Sequence, residues 1–172
     1  MLRLQATGGE RDFTSFWQGV GERRGGEVTF YTFATYVGRV PAETTSEPGP
    51  AGVSPALAGF PMGLPGLLYL VGDRFWFEDF EKDNWLLRLI PPKRPFAKTE
   101  VWFDRADVVG HRVISRSAAY RCVAGRMAAE ATLPLGRIAR FFSSQVLQVD
   151  LRPQSSMFFE VMRQEEILRL LA

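Results

Sequence analysis

The 172-residue chain carries 21 basic and 19 acidic side chains, a net charge of +2, and is 46% apolar and 13% aromatic. So much apolar material excludes a largely disordered chain, and so even a charge balance excludes the basic surface of a typical nucleic-acid binder. A single cysteine, Cys122, excludes an intramolecular disulfide framework and a cysteine-based zinc site.

The opening MLRLQATGGERD lacks the apolar core of a signal peptide, and no apolar run approaches the roughly 18–20 residues of a membrane span. The expectation is a cytoplasmic protein with residues 1–26 as an N-terminal extension and residues 27–172 as one domain.

From Asp12, the apolar residues Phe13, Phe16, Trp17 and Val20 recur at helical spacing, and Gly25-Gly26 stops the pattern after Arg23-Arg24. A short helix closing over a sheet is favoured here over a membrane-surface helix. Glu27–Val40 reads as a long strand, with Gly38 marking a bend or bulge.

The segment 41–65 holds six prolines and four glycines, so it reads as a long loop. Its apolar second half offers Leu57, Phe60 and Met62 as a partner-docking element.

Gly66–Ile90 is dense in strand-forming residues. Leu67–Val71, Arg74–Phe80 and Trp85–Ile90 read as a three-strand meander, with Phe75 and Phe77 on one face and Arg74, Trp76 and Glu78 on the other. The acidic turn Glu78–Asp83 lacks the ligand spacing of a calcium loop. In the break Pro91–Lys98, Lys93, Arg94 and Lys98 surround Phe96, a combination suited to an anionic membrane or an acidic partner.

Thr99–Phe103, Arg112–Ser115 and Ala118–Val123 read as further strands. His111 stands alone, which favours a structural role over a metal or catalytic one, and Cys122 reads as a small core residue. Gly125–Thr132 reads as a loop or weak helical turn. Leu133–Ser144 shows a helical stripe through Leu135, Ile138, Phe141 and Phe142, with Arg137 and Arg140 off the stripe as further candidates for anion contact. Val146–Leu151 and Met157–Met162 form a hairpin, and Arg163–Ala172 a closing helix whose Glu165 and Glu166 suit its N-terminal dipole.

Gly66-Leu67-Leu68-Tyr69-Leu70-Val71 with Arg74-Phe75-Trp76-Phe77 resembles the strand signature of GRAM domains in the pleckstrin-homology-like superfamily. Thr99–Ile114 and Ser156–Leu171 are similar to that family's later strands and closing helix. The resemblance implies a mainly β protein: a PH-like antiparallel β-barrel or sandwich with a C-terminal helix, here with an N-terminal helix and an inserted helix. It also implies binding rather than catalysis, although the loop after the first strand has none of the basic residues of the usual phosphoinositide pocket.

The chain carries no nucleophile motif, phosphate loop or dinucleotide fingerprint, so no enzyme activity and no cofactor is expected. The leading expectation is a protein-interaction or scaffold module. The alternatives are a peripheral membrane or anionic-lipid binder, associated from the cytoplasmic side, and a barrel holding a small apolar ligand or an unrecognised enzyme.

Overall fold

A computed structural model describes residues 9–41, 63–79, 99–136, 138–139 and 144–172. Among the described residues, three helices of eight or more residues flank one antiparallel sheet. The strands are β1 (Val28–Val40), β2 (Leu64–Val71), β3 (Arg74–Asp79), β4 (Glu100–Asp104), β5 (Val108–Ser115), β6 (Gln145–Leu151) and β7 (Ser155–Val161). The helices are α1 (Gly9–Arg24), α2 (Arg116–Val123) and α3 (Gln164–Leu171).

The strands run in the order β4-β3-β2-β1-β7-β6-β5, so β1 joins two meanders. Alternation along each strand creates two faces. Phe30, Ala34, Tyr36, Leu68, Leu70, Phe75, Phe77, Phe103, Leu147, Val149, Met157 and Phe159 share the main core cluster. Ile167 and Leu171 of α3 seal it, because an eight-residue amphipathic helix is stable only when docked.

The rings of Phe103 and Phe159 lie 6.2 Å apart although β3, β2 and β1 separate their strands. On a flat sheet four strand steps would span about 19 Å. The sheet therefore bends around this core.

It does not close. β4 and β5 are opposite edges of one sheet with no ladder between them, so the expected PH-like barrel or sandwich, and the GRAM resemblance that implied it, are overturned. On the β5 side, the Leu135 amide donates to the Val113 carbonyl at 2.8 Å. Large side chains pack the concave face.

Among the described residues, the outer face is covered in two places. Val20 of α1 packs on Tyr69 and Val71. Ala119 and Cys122 of α2 pack on Val37, Ile114, Val146 and Phe158. Gly38, at a register shift between β1 and β7, lets α2 approach; a Cβ there would meet the Val123 side chain at 2.7 Å. Beside α2, Gln148 is fully buried, its amide donating to Ala129 O at 3.1 Å and Asp150 Oδ1 at 2.7 Å. Thr132 Oγ1 lies 2.6 Å from Gln148 Oε1, and Ser156 Oγ donates to Asp150 Oδ1 at 2.7 Å.

Several sequence expectations change. Ala118–Val123 lies in a helix, not a strand: Ser115 caps it by accepting the Ala118 amide at 3.2 Å, and two alanines favour helix. β5 begins earlier than expected, at Val108, after a 3₁₀ turn at Arg105–Asp107. β2 begins at Leu64, so Leu64-Pro65 belongs to a strand rather than to the long loop. Residues 132–136 are not helical; 138–139 are, with Ile138 exposed rather than on a buried stripe. The strand expected at Trp85–Ile90 lies outside the described residues, and the observed neighbour of β3 is β4.

Candidate interaction site

The nine residues singled out from the sequence as contact candidates all fall outside the described residues. They are Lys93, Arg94, Phe96 and Lys98, Arg137 and Arg140, and Leu57, Phe60 and Met62. Among the described residues, a different constellation stands on the outer face of β1–β4.

Strand register places Tyr31, Tyr69, Trp76 and Trp102 side by side, one from each of four consecutive strands. This aromatic row begins under α1 and ends at the sheet edge. Trp17 stacks on Tyr31 with ring centroids 4.5 Å apart and meets Tyr69 edge-on at 5.8 Å. Trp76 and Trp102 lie 6.1 Å apart. The row passes from buried Tyr69 through half-buried Trp76 to Trp102, which is 48% exposed.

Arg24 and Arg74 lie over the row's tryptophan rings. The Arg24 guanidinium, from the last turn of α1, is 3.9 Å from the Trp76 ring centroid. Its Nε donates to Tyr69 Oη at 3.1 Å, and its Nη2 contacts Glu78 at 2.5 Å and Glu100 at 3.0 Å. Tyr69 donates its phenolic proton to the same Glu78 carboxylate. Arg74 forms a two-pronged pair with Asp104, at 2.6 and 3.0 Å, and lies 4.3 Å from the Trp102 centroid. A planar guanidinium serves both roles, bonding carboxylates in its plane and resting its face on an indole.

The electrostatics favour a fixed scaffold. Burial works against the Arg24 charge, but bonds to Glu78, Tyr69 and Glu100 outweigh it and hold the pKa above its ordinary value. Burial, then the bond to Glu78, pushes the Tyr69 phenol up, with Arg24 opposing. These groups are committed to one another, which suits them poorly to proton transfer. Elsewhere, His111 is half-buried on β5 opposite Val149. Cys122 is buried, with its thiol pushed up by burial and by Glu130.

The edge has its own chemistry. Asp79 N–H donates to Thr99 O, and Arg105 N–H to Asp73 O. Antiparallel pairs alternate, so Val101 and Phe103 direct their backbone groups to β3. Glu100, Trp102 and Asp104 direct theirs away from the sheet, and among the described residues no strand lies beyond them.

An open cleft of about 890 Å³ lies on the other flank of α1, lined by Trp17, Gly21, Glu22, Glu27, Val28 and Tyr31. Among the described residues, no group of three or more metal-ligating side chains occurs, and no helix is long and apolar enough to cross a membrane.

Sequence reading set Trp76 on the strand face opposite Phe75 and Phe77 but missed the site. The available signal was the alternation Glu100-x-Trp102-x-Asp104, which puts an indole and two acids on one face of a strand. The pairing of β4 with β3 and the reach of Arg24 come only from the tertiary structure. Comparison with family models, with curated proteins and with solved structures returned no match.

Proposed function

We propose that the chain is a non-catalytic protein-binding module whose binding element is the outer edge of β4, centred on Trp102. The observation that carries this reading is the coincidence of an exposed indole with backbone groups directed off the same strand. An extended segment added to such an edge gains main-chain hydrogen bonds, and an aromatic anchor supplies buried area and selectivity. The paired Arg24–Glu78–Tyr69 group beside it supports binding over catalysis, since it stiffens the platform without leaving a poised acid or base.

Site-specific photo-crosslinking in cells tests this. A crosslinker at exposed Ala106, just past β4, should capture a polypeptide, and Trp102→Pro should abolish the capture. The same crosslinker at exposed Arg121, on α2, which packs over β1 and β5–β7, should capture none. Equal capture at both positions, or capture at Ala106 that survives Trp102→Pro, would sink the reading.

A further inference from the structure

We infer that the open cleft beside α1 receives an arginine side chain of a partner polypeptide. The cleft lies on the opposite flank of α1 from β4, so the inference stands apart from the binding reading above. Trp17 and Tyr31, stacked 4.5 Å apart, form part of its lining. Glu22, from the last turn of α1, and Glu27, at the step into β1, bring two exposed carboxylates to it. The Gly26 amide, donating to the Gly21 carbonyl at 3.0 Å, fixes the turn between them.

The charge of the cleft is one-sided. Among the described residues, neither Glu22 nor Glu27 forms an ion pair, and no basic side chain lines the cleft. The carbonyl end of α1 adds partial negative charge at the same place. Arg23 and Arg24 share that last turn, but neither lines the cleft, and Arg24 is drawn over Trp76 on the far flank. Arg163, 5.8 Å from the Tyr31 ring centroid, is already matched by Glu166. The site calls for a cation from outside.

The molecule itself indicates which cation suits such surroundings. Arg24, Arg74, Arg116 and Arg163 each meet a carboxylate and an aromatic ring at once. A guanidinium bonds carboxylates in its plane and lays its face on a ring, which an ammonium point charge does less well. The cleft holds the same two partners, carboxylate and ring, and among the described residues no arginine fills it. At about 890 Å³ it is larger than one side chain needs, and it is open. A free guanidine would stay partly in water there. A polypeptide covers the cleft with the residues on either side of its arginine, excluding water around the charge.

Heteronuclear NMR of the isotope-labelled protein tests this, with acetyl-Ala-Thr-Arg-Thr-Ala-amide as the probe. Amide signals of Gly25, Gly26 and Glu27 should shift and saturate as the peptide is added. Lysine in place of its arginine should weaken binding about threefold or more, and glutamine about tenfold or more. Glu22→Gln combined with Glu27→Gln, both at exposed positions, should weaken the arginine peptide about tenfold or more. Glu130→Gln combined with Glu165→Gln removes the same charge elsewhere and should leave binding unchanged. Propylguanidinium, the side chain alone, should bind more weakly than the peptide. Absent shifts, equal binding of the lysine or glutamine peptide, or an equal loss in the two double variants overturns the inference. Propylguanidinium binding as tightly as the peptide overturns the polypeptide as occupant in favour of a free guanidine.

Discussion

Tyr69 and Glu78 stand on neighbouring strands and share a proton-donating contact that Arg24 clamps from α1. The three groups tie a helix to the sheet through polar bonds at the edge of an apolar contact. Arg24→Met leaves Glu78, 8% exposed, without its principal cation. The expected loss is about 1–3 kcal/mol, below the cost for a fully buried pair because solvent reaches part of the cluster. Pairing Arg24→Met with Glu78→Gln should recover part of it. Urea denaturation of the single and double variants measures this directly.

Tyr36 couples the main core to alkaline pH. Burial, opposed slightly by Arg39, pushes its phenol from 10.0 up to about 12. A group whose pKa is higher in the folded state contributes fully below its unfolded value and loses that contribution as pH rises through the folded one. Stability should therefore be level below about pH 10 and fall between pH 10 and 12, by about 2–3 kcal/mol from this residue. The raised Tyr69 acts in the same direction. Unfolding free energies across this range, compared with Tyr36→Phe, should show a shallower fall for the variant.

Gly66 is a steric requirement of the β2–β3 pair. A Cβ there would lie 2.2 Å from the Glu78 carbonyl oxygen and 2.7 Å from the Phe77 ring. Backbone cannot move aside as a flexible side chain can. Gly66→Ala should cost at least about 2 kcal/mol in thermal or urea unfolding.

Gln148 holds the turn beside α2 to the sheet. Gln148→Leu keeps the volume but strips partners from Ala129 O, Asp150 and Thr132. The expected loss is about 2–3 kcal/mol. Hydrogen exchange should quicken first at the amides of Ala131 and Thr132, which bond within this turn.

Strands whose pattern is set by neighbours in sequence were readable before the fold was known. Leu67–Val71 and Arg74–Phe77 are dense in strand-forming residues about Gly72-Asp73, as are Val146–Leu151 and Met157–Val161 about their turn, and the acid-led closing helix follows. Ala118–Val123 misled because Tyr120, Cys122 and Val123 suit a strand by composition, whereas the Ser115 cap and the floor formed by Val37 and Phe158 favour a helix. The barrel expectation failed for a related reason. Strand wording fixes neither how far a sheet bends nor whether its edges meet. The candidate site was hidden more deeply, since its aromatic row joins residues from Tyr31 to Trp102 through three registers that no local pattern encodes.

The position of β1 has a consequence for how the molecule forms. One of its neighbours, β2, is the next strand in the chain, but the other, β7, lies more than a hundred residues later. While the chain is being synthesised, the first meander can pair by local hairpins, yet one long side of β1 waits for the residues up to Val161. Phe159 is the ring that joins Tyr36, Phe77 and Phe103, so the core consolidates only when that last strand arrives. Closing so distant a contact is slow relative to local pairing. The nascent chain therefore carries a half-built sheet with an exposed inner strand, the state in which chaperone protection matters most.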